Sequence, residues 1–425
     1  MNKEYDLAVI GGGPSGMMAA IRSGELGARV ILLEKNATLG KKLLLSGKTR
    51  SNITRAEFET RELAKHYGRE GDFLLFALSH FGPQEVIKFF QKKGLLLKQE
   101  RGKRFFPKNG GSVDVLKTLL GYLRRYHVEI KTQSPVRNLV VKNRVITKII
   151  LKDGEEILAK TYLVCTGGKS FPKTGSTGDG YFWLKQLGHT IEPLRPALVP
   201  LRVKESWPKI KEGFNLKNVS LTVYQNNQKK GFRLGDMEFT YFGISGPIVL
   251  DLSILIGELL KKGEVKVVLD LKPALSPEVL DKRIQSDFLK YHNKVFRHAL
   301  DDLLPQKLIP LIIKLSGINS DKKVNKISKL ERHKLGQLLK HLEMTISSLL
   351  GFEHAIITQG GVSLKEIDAK TMKSKVIDNL YLAGEIINLH GPSGGYNLQL
   401  CWSTGYLAGE SAAQNALQDK INSSK

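Results

Sequence analysis

Gly11, Gly13 and Gly16 stand at the spacing G-x-G-x-x-G within GGGPSG at 11–16. Glycines so spaced serve a nucleotide. The first permits a tight turn, the second lets a pyrophosphate reach the backbone, and the third lets a helix pack closely on a strand. Pro14 and Ser15 fall where that helix starts, and a helix amino end offers free N–H groups to phosphate. Glu34 ends the run ARVILLE, with Lys35 next to it. Its carboxylate can accept hydrogen bonds from ribose hydroxyls and would repel a 2′-phosphate. The motif alone is weak, but its flanks agree with it. YDLAVI (5–10) is a short apolar run of β formers, PSGMMAAIRSGELG reads as a helix, and ARVILLE reads as a second strand. Together they predict a dinucleotide site and leave FAD and NAD both open.

A second set of candidates lies more than 360 residues later. NLYLAGEI (379–386) reads as a buried strand ending in Gly384 and Glu385, and HGPSGGYN (390–397) precedes a helix-like run. A cofactor held by both chain ends fits an extended FAD better than NAD. Glu385 would meet its ribityl chain. The amides of Gly394, Gly395, Tyr396 and Asn397, with the helix dipole, would stabilise negative charge on a reduced flavin. His390 either faces the flavin or anchors its own loop. The small residues Ser403, Thr404, Gly405, Ala408 and Gly409 would let the last helix lie close to something flat. Between the two sets, TYLVCTGGKSFPKTGSTGDGYFWLKQLGH (161–189) runs as a strand into Thr166, Gly167 and Gly168, then as a glycine-dense loop. Asp179 there caps the following helix or accepts a hydrogen bond from the cofactor. Cys165 is expected in the core.

The totals bound the class. A chain of 425 residues accommodates two or three domains. Cys165 and Cys401, its two cysteines, cannot build a disulfide framework and fit a reducing cytosol. No signal peptide and no apolar run of membrane-spanning length is visible, so a cytoplasmic location without membrane contact is expected. No His, Cys and acid cluster has metal-ligand spacing, so no metal site is expected. The formal net charge is +25. That excess suits a polyanionic partner, or it is a solubility charge.

VIGGGPSGMMAA, LGKKLLLSGKTRSNIT, RFFP, GGKSFPKTGSTGDGY, FTYFGISGP, TQGGVSLKEI and LAGEIINLHGPSGGYN follow one another from end to end. In these segments the chain resembles the YhiN/BaiN-like flavoproteins, also called the aminoacetone-oxidase family of FAD-binding oxidoreductases. The resemblance implies an α/β fold: a Rossmann-like FAD-binding domain built from both chain ends, with an inserted β-barrel-like domain and a small helical domain. The runs ALVPLRVK, VSLTVYQNN, GFRLGDMEFTYFG and EVKVVLDL agree, reading as strands separated by turns, and 277–350 reads mostly as helices. The expected boundaries are 1–190 and 346–425 for the FAD domain, 191–275 for the barrel and 276–345 for the helices.

The resemblance also places the loop SGKTRSN (46–52) along the cofactor near the flavin. Lys42, Ser46 and Gly47, all within the matching segment LGKKLLLSGKTRSNIT, join the cofactor-binding candidates. Arg50, Asn52, Tyr241 and His390 are the catalytic candidates. Arg50 would pair with phosphate or polarise a flavin carbonyl, and Asn52 would hydrogen-bond the flavin edge. The family pattern S-G-x-G-R-C-N has Thr49 here for its second glycine and Ser51 for its cysteine. Tyr241 replaces the histidine of F-T-H-x-G-x-S-G-P, and Asn388 replaces an acid. The loss of cysteine, histidine and acid removes groups that titrate near neutral pH.

Members of the family reduce carbon–carbon double bonds, in bile-acid-like substrates and in uracil of ribosomal RNA, or oxidise small amines. With no second dinucleotide motif visible, NADH or NADPH is expected as a transient electron donor. Residues 88–108 carry eight Lys/Arg against one acid, among Phe89, Phe90, Phe105 and Phe106, and residues 281–340 carry 14 against six. Such stretches suit RNA phosphates, although the aromatics read more readily as core. The leading expectation is an NAD(P)H-driven reductase acting on uracil in structured ribosomal RNA. The alternatives are a small-molecule amine or enone flavoenzyme, and a weakly catalytic flavin-containing RNA-binding protein.

Overall fold

The computed structural model describes residues 4–208 and 213–423. The chain divides into two compact units, Met1–Pro196 with Phe352–Lys425, and Ala197–Gly351.

In the first unit YDLAVI forms β1 (Glu4–Ile10), whose side chains are buried from Tyr5 onward. Burial on both faces is what a parallel strand between helical layers requires. α1 (Pro14–Glu25) follows, with Pro14 in its first turn, where a missing N–H costs nothing. β2 (Val30–Leu33) returns parallel to β1. Next come α2 (Lys41–Leu45), β3 (Thr54–Arg55), α3 (Thr60–Lys65), α4 (Leu75–His80), α5 (Pro83–Gln91), β4 (Leu97–Glu100), β5 (Arg104–Pro107) and α6 (Ser112–Arg125). Strands β6 (Glu129–Lys131), β7 (Val136–Lys142), β8 (Val145–Leu151) and β9 (Glu156–Val164) precede α7 (Asp179–Gln186) and β10 (Ile191–Ala197). The main sheet has the order β6-β2-β1-β9-β8-β7, and β3, β5 and β4 form a separate small sheet.

The second unit is a closed barrel. Its strands are β11 (Leu201–Val203), β12 (Phe214–Gln225), β13 (Gln228–Thr240) and β14 (Gly243–Ser245), followed by α8 (Pro247–Leu260) and β15 (Val265–Asp270). Three helices come next, α9 (Pro277–Lys290), α10 (Ile309–Ser316) and α11 (Lys329–Lys340). The segment expected as helix up to 350 instead ends in β16 (Leu342–Leu349), which pairs with β15 and β11 and closes the barrel. LEMTISSL starts with alternating buried and exposed positions, a period of two that no helix satisfies. The barrel is therefore discontinuous in sequence, and 191–275 does not contain all of it. Leu280, Ile284, Leu335 and Leu339 of the helices share one hydrophobic cluster with the barrel interior and α8.

The chain returns to the first unit with β17 (Ile357–Val362), β18 (Leu380–Leu382) and α12 (Tyr396–Ser423). β18 joins the main sheet parallel to β9, pairing Leu380 with Tyr162. Beside it β8 occupies the start of the same β9 edge. Both chain ends thus share one sheet. The small residues of α12 meet a backbone: a Cβ on Gly405 would lie 2.4 Å from Ser15 O, and one on Gly409 2.4 Å from Ala19 O. Their partner is α1 and not a flat ring. Ser23 Oγ donates to Gly409 O at 2.8 Å across the same contact. Among the described residues no helix is long and apolar enough to cross a membrane.

Candidate cofactor and substrate site

A cleft opens at the carboxyl ends of β1 and β9, where open α/β sheets bind their ligands. Gly11, Gly13, Pro14, Ser15, Glu34, Lys35, Lys42, Thr166, Gly167, Asp179 and Glu385 line it. The three motif glycines differ in kind. A Cβ on Gly11 would lie 2.5 Å from Cys165 O, and one on Gly16 would lie 1.9 Å from Gly11 O. Both are required by the chain's own packing. A Cβ on Gly13 would meet nothing within 4 Å, so that space is free for a ligand.

Charged groups stitch the cleft walls together. Glu34 accepts from Gly12 N at 2.9 Å and from Asn36 N at 2.8 Å. Lys35 Nζ pairs with Asp179 at 2.7 Å. Asp179 is not the helix cap, since Gly178 precedes α7 in that position. Burial pushes the Asp179 carboxyl up, but hydrogen bonds from Lys35 and Thr177 outweigh it and hold the group below the usual carboxylate range. Lys42 Nζ donates to Glu385 Oε2 and to Ser170 Oγ, both at 2.7 Å. Glu385 Oε1 accepts from Thr358 N at 2.7 Å and Ser170 Oγ at 2.9 Å. Gly168 packs against this network, a Cβ there lying 2.3 Å from Thr358 Oγ1, and a Cβ on Gly384 would lie 2.4 Å from Ser15 Oγ.

The loop SGKTRSN folds in an unusual backbone form. Gly47, Lys48, Thr49 and Ser51 all have φ between 55 and 68°, a region unfavourable to a β-branched residue such as Thr49. The position where the resemblance implies glycine keeps a glycine-like conformation with a side chain on it. Ser46 Oγ donates to Leu43 O at 2.6 Å and lies 3.2 Å from Ser51 Oγ. Ser51 is fully buried. Both hydroxyls serve the loop itself.

Asn52 and the Gly394–Gly395 turn come together. A Cβ on Gly395 would lie 2.8 Å from Thr54 O and 3.1 Å from Asn52 Oδ1, and that buried Oδ1 has no hydrogen-bond partner among the described residues. Tyr396 is enclosed by His66, 4.6 Å away ring to ring, and by Tyr67, whose hydroxyl donates to Tyr396 O at 2.8 Å. Asn397 Nδ2 donates to Gly391 O and Pro392 O, tying the loop that precedes α12. Arg50 is bonded to Glu100 and stacks over Phe106 at 4.4 Å. Burial lowers the His390 pKa, against an opposite pull from Glu385, so its ring is neutral at pH 7. Asn388 donates its backbone N–H to Val362 O. Tyr241 lies in the barrel unit, 58% exposed, with its ring edge-on to Phe242.

The sequence pattern does not single out Asn36 and Ser176, which line the cleft, Ser170 and Thr358, which bond Glu385, or Arg55, which lies 4.9 Å over the Tyr396 ring. Ser176 stands in the glycine-dense loop, whose composition marks it. Thr358 and Arg55 carry no local pattern and are placed by tertiary packing. Cys165 is buried and its thiol is pushed up by desolvation. Cys401 lines the cleft, and burial pushes its thiol up to about 12. Phe90 and Phe106 are core side chains, and Phe89 stacks on Tyr122, so they are not free stacking platforms. Among the described residues no group of His, Cys, Asp and Glu gathers as metal ligands would.

The site fits FAD. The open cradle at Gly13 suits the pyrophosphate. Thr166 Oγ1, in the cleft, and Asn52 Oδ1, beside the Gly394–Gly395 turn, are buried polar atoms with no partner among the described residues, and buried polar groups need one.

The model of the HI0933-like protein Rossmann domain matches residues 5–411. The chain is 33% identical to a 3-dehydro-bile acid delta(4,6)-reductase of Clostridium scindens over 96% of its length and 99% of that protein. It is 28% identical to a ribosomal RNA dihydrouridine synthase of Haemophilus influenzae, over 96% of the chain and 98% of that protein. Among solved structures, the 3-ketosteroid delta1-dehydrogenase of Sterolibacterium denitrificans aligns with a TM-score of 0.54 at 12% identity, covering 97% of this chain and 100% of that one.

Proposed function

We propose, from the premise that the chain belongs to the HI0933-like family of FAD-dependent oxidoreductases, that it reduces a carbon–carbon double bond conjugated to a carbonyl. NADH or NADPH is the electron donor, and uracil in ribosomal RNA is the leading substrate. Both curated relatives bear names that describe hydrogen added across such a bond.

One observation favours RNA over a small molecule: the cationic surface is not neutralised. In the helical segment Asp281, Asp287, Asp302, Asp321 and Glu331 are each paired with an Arg or Lys of that segment. Lys307, Lys314, Lys323, Lys326, Lys329 and Lys334 remain exposed, with no carboxylate partner among the described residues. Cations of this kind bind phosphates by releasing counterions.

Bound FAD supplies hydride chemistry. The net reaction joins the hydride of NAD(P)H and one proton to the two carbons of the double bond, leaving NAD(P)⁺. Gly13 and the amino end of α1 would receive the pyrophosphate. Asn52 offers a hydrogen-bonding side chain at the flavin end. His390, neutral through burial, retains one N–H to donate and one nitrogen to accept. Ser51, buried against Ser46, does not replace the family's thiol as a proton source.

Anaerobic mixing with NADPH or NADH, with and without ribosomal RNA, tests this. The expected result is bleaching of the flavin and its recovery only when RNA is added. Recovery with a steroid-type enone but not RNA would move the substrate to the small-molecule class. Flavin that neither donor reduces would overturn the nicotinamide-driven reaction.

A further inference from the structure

The small sheet of the first unit carries a charge arrangement outside the lining of the cofactor cleft. Its register sets Arg55 opposite Arg104, Arg104 opposite Glu100, and Lys98 opposite Phe106. These side chains therefore share one face. Like charges placed directly opposite on a sheet repel. Glu100 does not relieve the repulsion, because Arg50 and Lys98 already hold it. Arg104 Nε donates to the Arg101 carbonyl at 3.1 Å, and its guanidinium lies 5.7 Å over Phe106. Arg55 lies 4.9 Å over the Tyr396 ring, and its buried Nε has no acceptor among the described residues. Arg55 also reaches the Gly394–Gly395 turn, since a Cβ on Gly394 would lie 3.1 Å from its Nη1.

We infer that Arg55 and Arg104 form an anion subsite, which holds a phosphate group of the substrate beside the Gly394–Gly395 turn. Two guanidinium groups in cross-strand register need a counter-charge, and among the described residues no carboxylate pairs with either. A phosphate has oxygens enough for both forks, and planar guanidinium groups stacked on rings are pre-organised to meet them. Placed next to the flavin end, the subsite would take the phosphodiester that flanks a reacting base. In that form it rests on the RNA reading.

The test uses FAD-loaded protein, so that the pyrophosphate cradle is filled. Thermal stability is measured in inorganic phosphate and in sodium chloride of equal ionic strength. The wild type is expected to gain stability in phosphate over chloride. Arg55→Gln and Arg104→Gln are expected to lose that gain while melting no lower than wild type in chloride, because each relieves the repulsion. Arg55→Lys, which keeps the charge without the fork, is expected to keep part of it. Lys148→Gln, a charge change on β8, should keep all of it. A merely structural arginine would instead lower the melting temperature in both salts, and that result overturns the subsite, as does a wild type indifferent to phosphate.

A second arm measures binding of a uridine trinucleotide against salt. Each glutamine variant is expected to bind about tenfold more weakly, with the slope of log K against log salt reduced by about 0.7, one single-strand phosphate contact. Unchanged RNA binding in both variants overturns the phosphodiester assignment. If phosphate stabilises the wild type as expected but RNA neither binds nor reoxidises the flavin, the RNA reading falls and the anion subsite stands.

Discussion

Lys42 and Glu385, 343 residues apart in sequence, meet at 2.7 Å across the cleft. One comes from α2, the other from the turn after β18. The contact joins the two chain ends at the site. Glu385 is 15% exposed and also accepts from Ser170 and Thr358. Removing the cation leaves a largely buried carboxylate with neutral donors only. Lys42→Gln is expected to lower stability by about 1–3 kcal/mol and to weaken FAD retention. Urea unfolding of apo and FAD-loaded protein checks both. An apo protein of unchanged stability would show that the pair contributes nothing to the fold.

Gly13 and Gly16 separate cofactor binding from folding. Gly13→Ala places a methyl in open space at φ −80°, so the apoprotein should unfold at the wild-type urea midpoint. The same methyl enters the pyrophosphate's path, and FAD affinity should drop by tenfold or more, an order-of-magnitude expectation for a lost phosphate contact. Gly16→Ala meets Gly11 O at 1.9 Å. It should destabilise the apoprotein itself by about 1–3 kcal/mol, the usual cost of overpacking. Fluorescence titration with FAD beside apo unfolding distinguishes the two.

Thr49 holds φ 68°, where a β-branched side chain costs roughly 1–2 kcal/mol relative to glycine. Thr49→Gly should therefore stabilise the protein by up to about 1 kcal/mol, the gain reduced by the greater freedom of glycine in the unfolded chain. Loss of stability in the variant would mean that the threonine side chain makes a contact outweighing the strain.

His189 gives a pH dependence of known sign. Burial lowers its pKa, partly opposed by Glu366 and by the Leu184 carbonyl. Its Nδ1 faces Leu184 O at 3.3 Å, so that nitrogen carries the hydrogen. Nε2 then accepts from Ser374 Oγ at 2.8 Å. The unfolded chain binds a proton near pH 6.5 that the folded protein resists. The stability is present in full above that pH and is lost as pH falls below it. His66 and His390, also lowered first by burial, act in the same direction. Chemical unfolding at pH 7.5 and 5.5 should show less stability at 5.5, and a smaller difference in His189→Gln. An equal difference in that variant would remove His189 from the effect.

Local pattern determined a good deal of this protein. The turn at Gly11–Gly16 and the acid at Glu34 are legible because a phosphate-binding turn is built from consecutive residues with fixed backbone demands. The strands YDLAVI and ARVILLE are legible because burial on both faces leaves an unbroken apolar run. Tertiary structure alone decided the rest. LEMTISSL follows three helices, and only the open edges of β11 and β15 make it the closing strand of the barrel. Gly405 and Gly409 read as a helix face that lies close to something flat, and only the approach of α1 shows what that face meets. Arg55 has no local mark at all. Its meaning comes from a cross-strand register with Arg104 and a turn some 340 residues away, because charge acts through space and register is set by pairing, neither of which a linear pattern records.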